Sequence, residues 1–248
     1  MSKNFTDKLF ANPKLYMKFR APWLSDERTK QELQFLTRIL KINKDQKVLD
    51  IPCGFGRHSI LLAKKWCQVT GIDTNKYFIQ EAKKRGKGSG AKYIQWDMLK
   101  LKYKAEFDVV INLFTSFGYF DDAANERVLQ NFYNALKEGG KLVIDMINRD
   151  RIVQTYTKGI RKDYTMIDKD IMLEEESFDL LTGRLHNNKK FIIKNKEIHV
   201  PYSLRIYTYT EIRDLLQNVG FTVTGVYGDY RWSAYSLTSK RLIIMAQK

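Results

Sequence analysis

Residues 48–58 read VLDIPCGFGRH. The apolar run that ends at Ile51 is typical of a short buried strand, and the two glycines two residues apart allow a sharp turn with no Cβ atom to obstruct a ligand. A helix is predicted directly after the turn, because Ile60, Leu61 and Ala63 recur at packing spacings. Its unpaired N–H groups and positive dipole end would face the loop. The segment therefore predicts a strand, a ligand-binding turn and a helix.

Asp50 distinguishes between two classes of ligand for this turn. The spacing of Gly54, Gly56 and Ser59 also resembles the fingerprint of dinucleotide-binding folds. A dinucleotide brings a pyrophosphate to the turn, and a carboxylate at the strand end would repel it. A ligand with an ammonium or sulfonium group would be attracted instead, and S-adenosylmethionine carries both groups. The sequence favours this second class of ligand.

Further strands are predicted along the chain at residues 68–73, 93–97, 107–112 and 139–145. The first of them ends in Asp73, about twenty residues after the glycine loop. From that distance a carboxylate can accept hydrogen bonds from both ribose hydroxyls of a nucleoside. The next strand ends in a second acid, Asp97. The alternative is that Asp73 and Asp97 only cap the helices that follow them.

The combination resembles the class I S-adenosylmethionine-dependent methyltransferases. The resemblance runs from about residue 25 to the C-terminus, and its segments are IPCGFGRHS, VTGID, FTSFGYFDD, LKEGGKLVIDMIN and RIYT. They are similar to a bacterial and archaeal group of small enzymes related to small-molecule N- and O-methyltransferases. The resemblance implies a Rossmann-like α/β fold with a seven-stranded, mostly parallel sheet and helices on both faces. Pro52 departs from the family's glycine and lacks an N–H to donate to a ligand.

The resemblance also implies S-adenosyl-L-methionine as the cofactor and a set of residues that would hold it. These come from the glycine loop and from the ends of the second, third and fourth strands. They are Asp50, Pro52, Cys53, Gly54, Gly56, Arg57, Asp73, Thr74, Asp97, Met98 and Asn112. Asp97 would face the adenine amino group, and Met98 would lie against the adenine ring.

Residues 112–120, NLFTSFGYF, would border the methyl group and its acceptor in this fold. Ser116 and Tyr119 are predicted to position the reacting groups there. The segment lacks the Pro-Pro motif with which nucleic-acid amino methyltransferases hold a flipped base. A neutral amine needs no strong base whereas a hydroxyl does, and no His or Lys in the sequence stands out as a base. An N-acceptor or an acidic hydroxyl is therefore favoured.

We predict one methyltransferase domain over residues 1–248 with two additions. Residues 1–45 hold an aromatic segment and a helix capped by Ser25, and this segment either closes the pocket or only covers the core. Residues 149–207 break the alternation with predicted strands at 171–178, 184–193 and 197–206, an antiparallel β-meander that would form a lid over the sheet's carboxyl ends.

Both additions are expected to close the acceptor pocket without contributing to the cofactor site. Their candidate acceptor-binding residues are Tyr16, Trp23, Tyr202 and Arg205, together with Tyr119 from the core domain. Arg205 would pair with a carboxylate or phosphate of the acceptor. An ion pair within the lid is the alternative for this residue.

The net charge of +15 comes from 43 basic and 28 acidic residues. Such an excess raises nucleic acid as a partner, but the lysine-rich clusters are scattered, which suits a solvated surface. The sequence lacks a bilayer-spanning run and a signal-peptide core near its N-terminus, so we predict no membrane association and a cytoplasmic location. Two cysteines, Cys53 and Cys67, form neither a disulfide framework nor a metal site. The expected oligomeric state is a monomer or a homodimer.

Three functions remain open on this basis. The first is methyl transfer to a nitrogen or oxygen of a small molecule. The second is methylation of RNA (tRNA or rRNA) or of a protein. The third is a cofactor-binding scaffold without catalysis. The sequence does not identify the acceptor.

Overall fold

The structure is a computed structural model that describes residues 12–20, 23–65, 67–156 and 159–248. Its first half contains α1 (Pro13–Arg20), α2 (Asp26–Leu40), β1 (Lys47–Asp50), α3 (Arg57–Lys64), β2 (Gln68–Asp73), α4 (Lys76–Arg85), β3 (Lys92–Gln95), β4 (Phe107–Asn112) and α5 (Asp122–Ala135). Its second half contains β5 (Leu136–Ile147), α6 (Arg149–Thr155), β6 (Arg161–Ile167), β7 (Asp170–Asp179), β8 (Arg184–Ile193), β9 (Lys196–Arg205), α7 (Tyr209–Val219), β10 (Thr222–Tyr227) and β11 (Arg241–Gln247).

A seven-stranded sheet with the order β10-β11-β5-β4-β1-β2-β3 forms the centre of the described chain. Strands β1 to β5 run parallel, whereas β11 is antiparallel to both β5 and β10. Helices α5 and α7 bury Phe132 and Leu216 in one core cluster, and α2 and α3 bury Leu36 and Leu62 in another. The predicted fold class is confirmed. Ligands in such folds bind at the carboxyl ends where the strand order reverses, here between β1 and β4.

The predicted helix boundaries rest on local hydrogen bonds that the structure contains. Ser25 Oγ accepts a hydrogen bond from Arg28 N at 3.2 Å, so that Ser25 caps α2. Thr208 and Glu211 form the predicted capping box at the start of α7, and Gly220 ends this helix with a φ of 113°. None of the helices in the described part of the chain has the length and hydrophobicity of a membrane-spanning segment.

The second sheet is antiparallel and has four strands in the order β6-β7-β8-β9. Only three strands were predicted here from the sequence, and β6 was missed. Helix α6 was also missed. Strand β6 reads RKDYTMI and is mostly exposed at the edge of the sheet. It therefore lacks the apolar alternation by which a half-buried strand is recognised. We call β6 to β9 the lid sheet. Helix α1 packs against it, with the ring centroids of Phe19 and Phe191 5.4 Å apart.

Candidate active site

Strand β1 ends at a buried carboxylate, that of Asp50. Its Oδ2 accepts a hydrogen bond from Ser59 Oγ of α3 at 2.5 Å, and burial raises the pKa of Asp50. The glycine loop then turns through Gly54 and Gly56, with φ values of 54° and 82°. A Cβ atom at Gly56 would lie 2.8 Å from Tyr93 Oη, whereas one at Gly54 would meet nothing within 4 Å. The space beside Gly54 is therefore open to a ligand.

Asp73 connects the end of β2 to the glycine loop. Its Oδ2 accepts a hydrogen bond from Gly54 N at 2.9 Å, and its Oδ1 accepts one from Asn75 N at 2.8 Å. Burial raises the pKa of Asp73 to about 6. The two strand-end acids that the sequence singled out, Asp50 and Asp73, thus lie at the same loop.

A cavity of about 90 Å³ lies above the glycine loop, and we call it the loop cavity. Its wall includes Asp50, Pro52, Cys53, Gly54, Arg57 and Asp73 from the predicted cofactor set, and Ser116 from the predicted catalytic pair. Tyr16 and Leu24 of the N-terminal segment also line it. Tyr16 packs against Phe78 of α4, with the ring centroids 5.7 Å apart. The prediction was that this segment closes the acceptor pocket without contributing to the cofactor site, whereas Tyr16 and Leu24 lie at the wall of the loop cavity. Residues 1–11 of the segment lie outside the described residues.

Five predicted cofactor residues stand away from the described wall of this cavity: Gly56, Thr74, Asp97, Met98 and Asn112. Asp97 accepts a hydrogen bond from Leu99 N at 2.9 Å, which is the capping arrangement named as the alternative. Met98 packs against the main core. Asn112 Nδ2 donates to Ile51 O at 2.7 Å, and Asn112 Oδ1 has no hydrogen-bond partner in the described part of the chain. The cofactor roles of these residues stay predictions.

Glu32 of α2 is a buried group that the sequence reasoning missed. Its side chain is 1% exposed, and it binds Arg28 Nε at 2.8 Å, His58 Nε2 at 2.9 Å and Arg57 Nη1. Although burial opposes ionisation, the hydrogen bonds from His58 and Arg57 hold the pKa of Glu32 well below its usual range. Glu32 stands four residues before the core residue Leu36 and so lies on the same face of α2. An acid on that apolar face was the signal available in the sequence.

A second cavity, of about 300 Å³, lies between the lid sheet and the main sheet, and we call it the lid cavity. It meets the loop cavity at Tyr16 and Phe114, which line both. Four of the predicted acceptor residues line it: Tyr16, Trp23, Tyr119 and Tyr202. Charged side chains complete its wall, among them Arg20, Arg161, Glu174, Glu176, Lys189 and Arg241.

Arg205 does not line the lid cavity. Its Nη2 donates to Glu211 Oε1 and its Nη1 donates to Ile206 O, both at 2.7 Å. Side chains alternate between the two faces of a strand, and Tyr202 and Leu204 of β9 already face this cavity. Arg205 therefore forms an ion pair, but with Glu211 of α7 rather than within the lid as the alternative had it.

Phe114 and Thr115 at the junction of the cavities adopt positive φ values of 60° and 58°. Left-handed backbone at residues other than glycine persists only where surrounding contacts enforce it. Asp145 supplies those contacts, because its Oδ2 accepts a hydrogen bond from Phe114 N at 2.8 Å and its backbone O accepts one from Thr115 N at 2.9 Å. Arg241 Nη2 donates to Thr115 Oγ1 at 2.7 Å.

Gly54→Ala is expected to weaken binding of S-adenosylhomocysteine at least tenfold, about 1.4 kcal/mol, because the new methyl group would occupy the ligand's space. The matched control is Gly88→Ala, since Gly88 also has a positive φ and open space around its Cβ position but lies outside the cavity wall. Calorimetry should show lost affinity only for the first variant, with an equal loss of stability in both. Equal affinities would remove Gly54 from the site.

Comparisons with known proteins bear on the family and on the fold. Residues 48–140 match the family model of the methyltransferase domain. A glycine/sarcosine N-methyltransferase from Parasynechococcus marenigrum (strain WH8102) is 27% identical over 82% of this chain and 73% of its own. The glycine N-methyltransferase of Homo sapiens is 32% identical over 52% of this chain and 50% of its own. A crystal structure of an S-adenosylmethionine-dependent methyltransferase from Clostridium acetobutylicum ATCC 824 shares the fold, with a TM-score of 0.80, 18% identity and coverage of 95% of this chain and 96% of its own.

The residues around the loop cavity fit S-adenosyl-L-methionine. The space beside Gly54 admits a ligand. Asp73 lines the same cavity, and its carboxylate would accept hydrogen bonds from hydroxyl groups of a ribose. When bound, the cofactor supplies an electrophilic methyl group on a sulfonium. The matching domain model, the shared fold and this fit lead to one conclusion: the chain is an S-adenosylmethionine-dependent methyltransferase of class I fold.

Proposed function

We propose that the protein transfers the methyl group of S-adenosylmethionine to a nitrogen of a small polar molecule bound in the lid cavity. The observation that carries this proposal is the shared wall of the two cavities, Tyr16 and Phe114. A cofactor in the loop cavity and an acceptor in the lid cavity would meet there. The charged groups around the acceptor's space favour a polar molecule over an apolar one.

Methyl transfer needs a lone pair aimed along the bond between the methyl carbon and sulfur. Much of its acceleration comes from proximity, orientation and exclusion of water. Tyr119 and Tyr202, whose ring centroids are 6.4 Å apart, form an aromatic wall that would orient the acceptor. The faces of Tyr16 and Phe114 would attract the sulfonium by cation–π interaction, worth about 0.5–2 kcal/mol. Ser116 Oγ donates to Leu113 O at 2.8 Å and would hold the loop rather than react.

The names of two relatives support nitrogen as the acceptor atom. The glycine/sarcosine N-methyltransferase, which matches over most of this chain, and the human glycine N-methyltransferase both act on small amines. RNA or protein as the acceptor is the alternative, and the net charge of +15 favours it. The groups that line the lid cavity are nevertheless largely paired with one another, as in Lys189 with Glu174 and Arg161 with Glu176. Such a cavity suits a small acceptor better than a polyanion.

The test measures transfer of labelled methyl groups from S-adenosylmethionine to glycine, sarcosine, amino sugars, total tRNA and unfolded protein. We expect transfer to a small amine. Tyr202→Ala is expected to lower that transfer at least tenfold and to leave the affinity for S-adenosylhomocysteine within threefold, because Tyr202 lines only the lid cavity of the two. Tyr164→Ala is the control, since this tyrosine is exposed on the same sheet. Transfer to tRNA or protein alone would overturn the proposal.

Thermal melts test the cofactor separately. A ligand that binds only the folded state raises its melting temperature. S-adenosylmethionine and S-adenosylhomocysteine should therefore do so, while NAD and NADP should not, because Asp50 would repel a pyrophosphate.

A further inference from the structure

One lysine of the lid sheet differs from its neighbours. Lys189 of β8 has a side chain that is 3% exposed, whereas the side chain of Lys190 is 32% exposed. Leu185, Asn187 and Phe191 are buried at alternate positions of the same strand, so Lys189 belongs to the inward row. Lys189 is also one of the residues that line the lid cavity. Lysine is almost never buried without a specific partner.

The ammonium of Lys189 faces groups from three elements. Glu174 Oε1 of β7 lies 2.8 Å from Lys189 Nζ, and the ring centroid of Tyr202 on β9 lies 5.4 Å from it. Arg20 of α1 shares the same carboxylate, with Nη2 3.5 Å from Glu174 Oε1. Two cations, those of Lys189 and Arg20, thus share one half-buried carboxylate.

The second acid nearby, Glu176 of β7, is already engaged. It accepts hydrogen bonds from Tyr156 Oη and from Asn187 Nδ2, the latter at 2.6 Å. Burial and the nearby Arg20 lower the pKa of Lys189 to about 8, against the opposing charges of Glu174 and Glu176. A lysine in this state is partly unprotonated near neutral pH and can accept a proton.

We propose that Lys189 is the catalytic base, the group that removes a proton from the ammonium of the acceptor in the lid cavity. This inference rests on the proposed function. Lys189 Nζ takes one proton and becomes an ammonium, and the acceptor becomes a neutral amine with a free lone pair. That lone pair forms the new nitrogen–carbon bond as the carbon–sulfur bond breaks, and the bonding electrons pass to sulfur. The product leaves as a methylated ammonium, and Lys189 returns its proton to solvent.

A base is needed because most small amines are protonated at neutral pH. A free aliphatic amine, with a pKa near that of lysine at about 10.4, is almost wholly protonated at neutral pH and has no lone pair to attack with. A base whose pKa lies near the working pH is the most effective proton acceptor. Lys189 meets that requirement, and it reaches the acceptor's space from the sheet that closes over it.

The variant Lys189→Arg distinguishes between two roles of Lys189, that of a catalytic base and that of an ion-pair partner only. Arginine keeps a positive charge that can pair with Glu174, but its guanidinium stays protonated and cannot accept a proton. With the amine of the panel that wild type methylates fastest, we expect kcat to fall at least 100-fold, within the range of about 10²–10⁴-fold that general bases contribute. The affinity for S-adenosylhomocysteine should stay within twofold. Lys190→Arg, on the exposed neighbour, should change neither quantity.

The pH profile adds a second readout. Wild-type kcat should rise with a midpoint near 8, and the residual kcat of Lys189→Arg should rise only as the free amine itself deprotonates. A kcat of Lys189→Arg within threefold of wild type would overturn this inference and leave the proposed function standing. Transfer by wild type to tRNA or protein alone would overturn both.

A direct titration of Lys189 in the wild-type protein tests the inference even if the variant Lys189→Arg packs poorly. In protein with ¹³C-labelled lysine, the Cε resonance that disappears in Lys189→Arg belongs to Lys189. Its shift should titrate with a midpoint below 9. A midpoint above 10 for Lys189 would overturn the inference.

Discussion

Glu32→Gln is expected to lower the free energy of unfolding by about 3–5 kcal/mol, because removing one partner of a buried ion pair leaves the other charges uncompensated. Three basic side chains, those of Arg28, Arg57 and His58, bind the Glu32 carboxylate at the junction of α2 and α3. Urea denaturation at pH 7.5 measures the loss. Glu27→Gln, at an exposed position of the same helix, should change stability by less than about 0.5 kcal/mol.

The effect of Glu32 should also depend on pH. Because the folded-state pKa of Glu32 lies below its unfolded value of about 4.3, the stabilisation is complete above that value and is lost as the pH falls below it. The difference between wild type and Glu32→Gln should therefore shrink between pH 5 and pH 3. A variant within 1 kcal/mol of wild type at pH 7.5, or a difference that grows in acid, would contradict this account.

Arg57 connects this network to function, since it lines the loop cavity and is held by Glu32. Its guanidinium also lies 5.6 Å from the ring centroid of Phe114, the residue at the junction of the two cavities. We infer that Glu32 fixes the entry of α3 and thereby the position of the glycine loop. The α2 helix is then part of the framework of the cofactor site, in addition to covering the sheet.

Local signals account for what could be predicted of the fold. The strand–turn–helix at Asp50 to Arg57, the cap at Ser25 and the capping box at Thr208 depend on residues close together in sequence. Their hydrogen bonds span only a few residues in the structure. Asp50 and Asp73 could also be placed at one site. Each ends a strand of the parallel sheet, and the carboxyl ends of these strands lie at the same edge.

The burial of Lys189 could not be predicted from residues close to it in the sequence. In the sequence it stands within NNKKF, which resembles a solvated charged run. Its burial comes from α1 packing on the lid sheet, across which Lys18 binds Asp170 and Arg20 binds Glu174. Contacts between residues about 150 positions apart leave no periodic signal in a single sequence. Glu32 was missed for a similar reason, since its partners Arg57 and His58 lie on another helix.

The buried Asp145 and the half-buried Arg241 form an ion pair behind the junction of the two cavities. Arg241 Nε donates to Asp145 Oδ1 at 2.6 Å, and Tyr230 Oη donates to Asp145 Oδ2 at 2.8 Å. The same carboxylate holds Phe114 N, as described above. Strands β5 and β11 therefore fix the left-handed backbone of Phe114 and Thr115 from behind. The position of Phe114, which lines both cavities, therefore depends on this acid.

Asp145→Asn and Arg241→Met are each expected to destabilise the fold by about 3–5 kcal/mol, since each leaves a buried charge without its partner. The double variant leaves neither charge, so it should cost less than the sum of the single losses by at least about 1.5 kcal/mol. Tyr230→Phe, which removes one hydrogen bond and no charge, should cost only about 1 kcal/mol. Urea denaturation of the four variants completes the cycle. Additive losses in the double variant would show that the two charges do not stabilise each other.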